Sequence, residues 1–168
     1  MHARPVAPPK PRPRETITIV RATSPTVSFY RYLYDAVGAP WSWVDRKKLD
    51  DQALAAIVRD PRVEVHVLYD DGVPAGYVEL DLRSPPAIEL SYFGLIPDFI
   101  GQGLGSYLLT WAIDEAWSRE PSRFWLHTCT LDHPDALPLY ERVGFVRYKE
   151  EIEMVDDAPF RAPRKSLG

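Results

Sequence analysis

The sequence has a single cysteine, no long hydrophobic run and no cluster of basic residues, and each of these absences removes a class of protein. Because Cys129 is the one cysteine in 168 residues, a framework of disulfides within the chain is excluded, and we expect a reducing compartment. No apolar run approaches the roughly 20 residues of a membrane span, and the first residues lack the apolar core of a signal peptide. The sequence therefore predicts a cytoplasmic protein without a membrane partner.

Charge and composition limit the partners and the number of domains. The net charge is −4 and no basic stripe is present, so a nucleic-acid partner is not expected. A hydrophobic fraction of 45% in 168 residues is typical of one globular domain. Proline and arginine dominate residues 1–14, which predicts an extended, disordered tail. A second loose tail is expected at 156–168, and the single domain then covers 15–155.

Hydrophobic periodicity predicts a mixed α/β (α+β) domain in the order β-α-α-β-β-β-α-β-α-β. Three consecutive strands, two of them joined by a strong hairpin signal at Asp71-Gly72, indicate a mostly antiparallel central sheet flanked by helices. This order does not fit a doubly wound parallel sheet. The predicted strands lie at 16–21, 63–69, 73–82, 88–96, 124–129 and 145–154, and the helices at 25–37, 50–60, 104–117 and 134–142.

The most informative segment is the glycine-rich turn at 101–106, which follows a predicted strand and opens a predicted helix. Backbone N–H groups in the first turn of a helix lack partners, and the helix dipole adds partial positive charge, so such a turn favours a phosphate group. A tight turn without a ligand is the alternative. The spacing G-x-G-x-G and the late position in the chain disfavour a dinucleotide fingerprint, and no lysine follows as a P-loop requires.

Two motifs extend this observation: LIPDFIGQGLGS at 95–106 and ALPLYERVGF at 136–145. The first resembles the strand end, proline and Arg/Gln-x-x-Gly-x-Gly/Ala of the GNAT superfamily, and the second resembles that family's A-x-x-L-Y-E-x-x-G-F. Ile100 stands where the family has arginine or glutamine, and His133 stands where it often has asparagine. The resemblance covers about 16–155 and implies direct transfer of an acetyl group from acetyl-CoA to an amine, without a metal.

The resemblance also implies which residues hold acetyl-CoA. The end of the strand before the turn is expected to separate from its neighbour and to present backbone groups to the pantetheine arm. The turn is expected to hold the pyrophosphate through N–H groups, and His133 to hydrogen-bond the pantetheine or a nearby carbonyl. The implied cofactor-binding residues are Phe93, Gly94, Leu95, Gly101, Gln102, Gly103, Leu104, Gly105, Ser106 and His133.

Acetyl transfer to an amine requires a base and benefits from an acid. An amine like that of lysine, with a pKa of about 10.4, is protonated at neutral pH and cannot attack. The resemblance places Tyr140 where family members often carry the proton donor to the thiolate. For the base, Glu89 ranks first, Glu79 second and His127 third. Each of these residues also has an alternative role. Tyr140 could pack in the core, the two glutamates could face solvent, and His127 could be an ordinary hydrogen-bonded strand residue.

The acceptor site is expected near the connection between the first two helices. Trp41, Trp43 and Tyr30 lie there, and aromatic rings suit a cationic amine; packing beneath the loop is the alternative. The spacing of Cys129 to the neighbouring histidines matches no zinc pattern, so no metal is expected. The leading prediction is an N-acetyltransferase acting on a small-molecule or protein amine, and a homodimer is compatible with it. An acyl-CoA-binding sensor without turnover and a partner-binding domain without a cofactor stay open.

Overall fold

In the part of the chain that the structure describes, five strands form one sheet, and helices cover both of its faces. The computed structural model describes residues 1–150. The strands are β1 Ile17–Ala22, β2 Val63–Asp70, β3 Val73–Asp81, β4 Ala87–Leu95 and β5 Arg123–Trp125. The helices are α1 Val27–Gly38, α2 Asp51–Val58, α3 Leu104–Trp117 and α4 Ala136–Arg142, with 3-10 turns at Ala39–Trp41, Arg46–Lys48 and Pro97–Phe99. The strands lie in chain order; the first three pairs are antiparallel, and β5 runs parallel to β4.

Polar caps and a tight turn fix the ends of the first elements. The side chains of Thr26 and Asp50 accept hydrogen bonds from the N–H groups three residues later, at 3.2 and 2.8 Å, and so begin α1 and α2. Asp71 and Gly72 join β2 to β3 with φ angles of 49° and 80°. Two positive φ angles are what a two-residue hairpin turn requires, so the hairpin predicted from the sequence is confirmed.

The sheet separates two apolar cores, because successive strand residues point to opposite faces. The face under α1 and α2 buries Tyr30, Leu33, Tyr34, Val37, Leu54, Val58, Val65, Val67 and Tyr77. The face under α3 buries Ile17, Leu68, Ala75, Val78, Leu80, Ile88, Leu90, Leu104, Leu108, Leu109, Ala112, Ile113, Ala116, Phe124 and Tyr140. Central strand β3 therefore serves both cores, and its one glutamate, Glu79, points towards α1.

β4 and β5 separate soon after they meet. Their parallel pairing covers three residues of each strand and ends where Glu89 lies opposite Trp125. On its other side β4 continues along β3, but Glu79 pairs with Tyr92 and Leu80 with Leu90, which leaves Ser91 as an extra residue. Such a bulge bends a strand and redirects the side chains beyond it. The sheet thus opens into a gap at the end of β4.

The segment after β5 differs from the sequence prediction. The strand predicted over 124–129 ends at Trp125. Thr128 donates its hydroxyl and Cys129 its N–H to the carboxylate of Asp132, at 2.7 and 3.1 Å, and these bonds fold the segment into a turn. Of the strand predicted over 145–154, residues 145–150 form no strand. Residues 151–154 lie outside the described residues.

Residues 1–14 form no helix or strand, but they contact the sheet and α3. The N-terminal amine lies 2.6 Å from the carbonyl oxygen of Phe124, Arg4 pairs with Asp114, and the N–H of Lys10 donates to Thr110 at 3.0 Å. The disorder that composition predicts for this segment stays a prediction. Among the described residues, every helix is too short or too polar to cross a bilayer.

Candidate active site

The glycine-rich turn leaves backbone N–H groups exposed at the start of α3. Gly101 and Gly103 have φ angles of 83° and 79°, a conformation that side-chain-bearing residues rarely adopt. A Cβ atom built on either glycine meets no atom of residues 1–150 within 4 Å, so the turn is not covered by the described part of the chain. No described side chain caps α3, and the N–H groups of its first turn lack intrahelical acceptors. The turn therefore provides the oriented donors and partial positive charge that an anion requires.

The side chain of Gln102 is directed back onto the protein. Its amide nitrogen donates to the carbonyl oxygen of Asp98 at 3.0 Å, and its amide oxygen accepts from Arg14 at 3.0 Å. Ile100, at the position where the family has arginine or glutamine, is 38% exposed. A polar contact to a ligand is thus missing at Ile100. What the turn offers to an anion is its backbone.

The end of β4 makes unusually close contacts on both faces of the sheet. A Cβ atom on Gly94 would lie 2.4 Å from a methyl group of Val37 in α1, and one on Gly76 would lie 2.4 Å from the carbonyl oxygen of Gly94. Phe93 packs edge-on against Tyr140 of α4, with ring centroids 6.0 Å apart. The strand end at 93–95 is therefore held firmly between α1 and α4, beside the gap in the sheet.

Glu79 is fully buried and its two oxygens are engaged. Tyr30 donates its hydroxyl to one oxygen at 2.5 Å, and Arg46 donates to the other at 2.5 Å. The guanidinium carbon of Arg46 also lies 5.1 Å from the ring centroid of Tyr92. Burial raises the pKa of Glu79, and the neighbouring guanidinium opposes this shift. Glu79 and Arg46 thus form an internal ion pair, which attaches the 3-10 turn at Arg46–Lys48 to the sheet.

Glu89 lies beside the gap and contacts a histidine from the other strand. It alternates with Ile88 and Leu90, which face α3, so its side chain is on the opposite face of the sheet. Its Oε1 is 3.1 Å from Nδ1 of His127, two residues beyond the end of β5. The Glu89 side chain is 22% exposed and that of His127 is 71% exposed. The structure thus brings together two of the three residues predicted as bases.

Tyr140 approaches the gap from the α3 face. Its side chain is 7% exposed and packs against Phe93 and Phe145. Burial, with the negative charge of Asp132 nearby, raises the pKa of the phenol above its ordinary value. The phenol therefore keeps its proton at neutral pH, as a proton donor must.

The predicted acceptor residues divide into surface and core positions. Trp41 packs edge-on against His133 at 4.7 Å between ring centroids. Trp43 packs against Tyr92 at 5.2 Å, and its indole N–H donates to Asp132 at 3.4 Å. These contacts join the segment after α1 to the loop before α4. Tyr30 is 0% exposed, so it supports Glu79 and does not line a surface.

Sequence reasoning gave no role to two residues that organise this site. Asp132 receives bonds from Trp43, Thr128 and Cys129, yet an aspartate in a loop carries no sequence signal of its own. Arg46 precedes Lys47 and Lys48, and a short basic run is typical of a solvated surface. Its contact with Glu79 depends on the tertiary fold. No pattern in the sequence distinguishes Arg46 from its basic neighbours.

Comparisons with known proteins agree with this geometry. The chain resembles an aminoglycoside acetyltransferase from an uncultured soil metagenomic sample, with a TM-score of 0.66 and 13% identity over 86% of this chain and 97% of that chain. It also resembles the ribosomal-protein-S18-alanine N-acetyltransferase of Escherichia coli, with a TM-score of 0.64 and 21% identity over 79% of each chain. An aminoglycoside N-acetyltransferase in complex with CoA gives a TM-score of 0.59 and 16% identity over 83% and 93%. At these identities the likeness shows the fold.

A search of curated proteins found no match. The model of the acetyltransferase (GNAT) family matches residues 29–145, which is most of the chain. This range includes the glycine-rich turn, both sides of the gap in the sheet and α4. The chain belongs to the GNAT acetyltransferase family.

Proposed function

We propose that this chain is an N-acetyltransferase that moves an acetyl group from acetyl-CoA to a primary amine. The observation that carries the proposal is the turn at 101–106, which opens an uncapped helix shortly after β4 ends, beyond the point where β4 has left β5. Two glycines with positive φ and open space around them give this turn the form of a phosphate cradle. An acyltransferase that uses a phosphate-bearing thioester needs both features, a cradle and a gap, next to each other.

The described residues fit acetyl-CoA, which supplies a thioester carbonyl for an amine to attack. N–H groups at 101–106 would hold its pyrophosphate, and backbone groups at 93–95 would line its pantetheine arm. His133 accepts an N–H from Asp135 on Nδ1 at 3.0 Å, which leaves Nε2 for the arm or a nearby carbonyl. Tyr140 would donate a proton to the departing sulfur, since it reaches the gap and keeps its proton at neutral pH.

Of the two glutamates, Glu89 suits proton acceptance better than Glu79. Both oxygens of Glu79 are engaged by Tyr30 and Arg46, and the side chain is fully buried. Glu89 is partly exposed and lies beside the gap, on the face that carries α1 and α2. An amine that approaches from this face passes Trp41 and Trp43. We therefore place the acceptor on this side of the sheet.

The acceptor class is a small-molecule or protein amine. Among the structural neighbours are an aminoglycoside acetyltransferase and a ribosomal-protein-S18-alanine N-acetyltransferase. Release of free CoA thiol from acetyl-CoA would be followed with kanamycin, spermidine, a peptide beginning with alanine and a peptide with one lysine. Turnover with any of these amines supports the transferase. Acetyl-CoA binding without turnover on any of them favours the sensor instead.

A charge placed in the turn tests the cofactor site directly. Gly103→Asp introduces a carboxylate where the pyrophosphate would lie, yet aspartate tolerates a positive φ and suits a helix start. The matched control is Gly72→Asp, because Gly72 has a φ angle of 80° and no described atom lies within 4 Å of a Cβ atom built on it. Calorimetry should show acetyl-CoA binding that Gly103→Asp weakens at least tenfold and Gly72→Asp leaves unchanged. If the wild-type protein binds no acetyl-CoA, or if both variants bind it equally well, the turn at 101–106 is not the cofactor site.

A further inference from the structure

The contact between His127 and Glu89 bridges the two strands at the point where they separate. Glu89 is the last residue of β4 that pairs with β5, and His127 follows the end of β5 by two residues. The 3.1 Å contact therefore spans the closed end of the gap. Because Nδ1 faces the carboxylate, this contact favours the tautomer with the proton on Nδ1 and the lone pair on Nε2. A side chain that is 71% exposed can present this nitrogen to an incoming molecule.

The charged groups of the described residues that act most strongly on His127 are acidic. Glu89 faces it from β4, Asp132 from the loop before α4, and Asp45 from the segment between α1 and α2. Hydrogen bonding to Glu89 and these three negative charges raise the pKa of His127 above its ordinary value, against the opposing effect of burial. A stronger base is better matched to an amine substrate.

We propose that His127 is the catalytic base of the acetyl transfer and that Glu89 is the positioning residue that orients its ring. The inference rests on the proposed function and assigns the proton transfer that it requires. It also reverses the order predicted from the sequence, in which Glu89 ranked first and His127 third. The reversal follows from geometry: Glu89 is three-quarters shielded and contacts the imidazole, whereas the imidazole itself is open to solvent.

The proton balance of this step is complete. Nε2 takes one proton from the ammonium form of the acceptor and passes it to solvent, which leaves a neutral amine. The nitrogen lone pair forms a bond to the thioester carbonyl carbon, and the carbon–sulfur bond breaks with its electron pair on sulfur. Nε2 takes the second proton from the nitrogen as the amide forms, and Tyr140 or solvent protonates the thiolate. The carboxylate of Glu89 stabilises the imidazolium.

The test combines kinetics with a measurement on the free protein. His127→Gln should lower kcat on the fastest amine of the panel by about 10²–10⁴-fold, the usual contribution of a general base, while calorimetry shows unchanged acetyl-CoA binding. The matched control is His2→Gln, an exposed histidine of the N-terminal segment. In wild type, kcat/KM should decrease as the pH falls below the pKa of His127. Glu89→Gln should move this fall to lower pH and lower the pKa of His127 measured by NMR, and Glu89→Asp should restore both in part.

Two results would overturn the inference. One is a His127→Gln enzyme that keeps kcat within about threefold of wild type, whatever the stability of the variant. The other is a pH profile and an NMR titration of His127 that do not move in Glu89→Gln. Failure of the proposed function looks different, because the wild-type protein would then bind no acetyl-CoA or acetylate no amine. The two failures are therefore distinguishable.

Discussion

Arg46 and Glu79 form an ion pair inside the protein, with 2.5 Å between Nη2 and Oε1 and no exposure of the carboxylate side chain. Arg46 comes from a short 3-10 turn, and Glu79 from the middle of the central strand. The backbone N–H of Arg46 also donates to the hydroxyl of Tyr34 at 3.3 Å. The pair therefore fixes the segment between α1 and α2, which carries Trp41 and Trp43, to the sheet.

Removing either partner of this pair should destabilise the fold strongly. Glu79→Gln leaves a shielded guanidinium without its counter-ion, and losses of about 3–5 kcal/mol are typical when one partner of a buried pair is removed. Arg46→Met should give a loss of the same order. The double variant should lose less than the sum of the two, as measured by urea unfolding. Simple additivity would contradict a direct interaction.

The close contact between Gly94 and Val37 makes a paired prediction. Gly94→Ala adds a methyl group where a Cβ atom would lie 2.4 Å from a methyl of Val37, so we expect a loss of about 1–3 kcal/mol from overpacking. Val37→Ala alone leaves a cavity in the core under α1. Together the two substitutions remove both γ-methyl groups of Val37 and add one methyl group at Gly94, which relieves the overpacking and fills part of the cavity. The double variant should therefore unfold at a higher urea concentration than either single variant. A double variant less stable than both would contradict the packing.

Tyr140→Phe separates proton donation from packing. Phenylalanine keeps the ring contacts with Phe93 and Phe145 but cannot donate a proton. We expect kcat to fall by about 10²-fold or more, with little change in acetyl-CoA affinity or urea midpoint. Stopped-flow detection of the CoA thiol and calorimetry measure the two quantities. Unchanged kcat would show that solvent protonates the thiolate without Tyr140.

Glu64 should contribute to acid sensitivity. It is buried and lies 2.7 Å from Arg119, 3.0 Å from Arg21 and 3.1 Å from His66. Burial opposes its ionisation, but His66 and the two guanidinium groups outweigh burial and lower the pKa of Glu64 below the ordinary 4.5. Glu115 lies close enough to complete a three-residue cluster, yet Arg119 also pairs with it at 2.9 Å. Arginine thus supplies the cation here.

The sign of the pH effect follows from that shift. A carboxylate whose pKa is lower in the folded state than in the unfolded state stabilises the fold at pH values above its unfolded-state pKa. This stabilisation is lost as the pH falls through the folded-state pKa. As pH falls below 4.5, the thermal midpoint of wild type should therefore drop more steeply than that of Glu64→Gln. Glu15→Gln, at an exposed glutamate, is the control and should follow wild type. Parallel curves for all three proteins would contradict the role of Glu64.

The sequence predicts most of the fold because its signals are local. Asp71-Gly72 forms the hairpin, Asp50 caps α2, and the helix at 104–117 has the bounds that its periodicity predicts. The length of β5 was wrong for the opposite reason. Residues 126–129 look like a strand, but Asp132 captures Thr128 and Cys129 and is itself held by Trp43, 89 residues away in the chain. No local pattern contains that contact.

The candidate site also has one part that the sequence predicts and one part that it does not. The turn at 101–106 is visible in the sequence because three glycines and a helix start are adjacent. Whether Glu79 or Glu89 is available to accept a proton depends on which side chains contact it in the folded protein. Arg46 reaches Glu79 across a loop, and His127 reaches Glu89 through the register of a parallel strand pair. Sequence spacing carries no information on either distance, so the ranking of the bases required the structure.

The most direct test of acetyl transfer at this site is a measurement of both products of one reaction. Wild-type protein, acetyl-CoA and each amine of the panel would be mixed, and free CoA thiol and acetylated amine quantified by mass spectrometry in the same sample. We expect equal amounts of the two products with at least one amine, and at least tenfold less of both with Gly103→Asp under subsaturating acetyl-CoA. Thiol release without an acetylated amine, or full activity of Gly103→Asp, would contradict it.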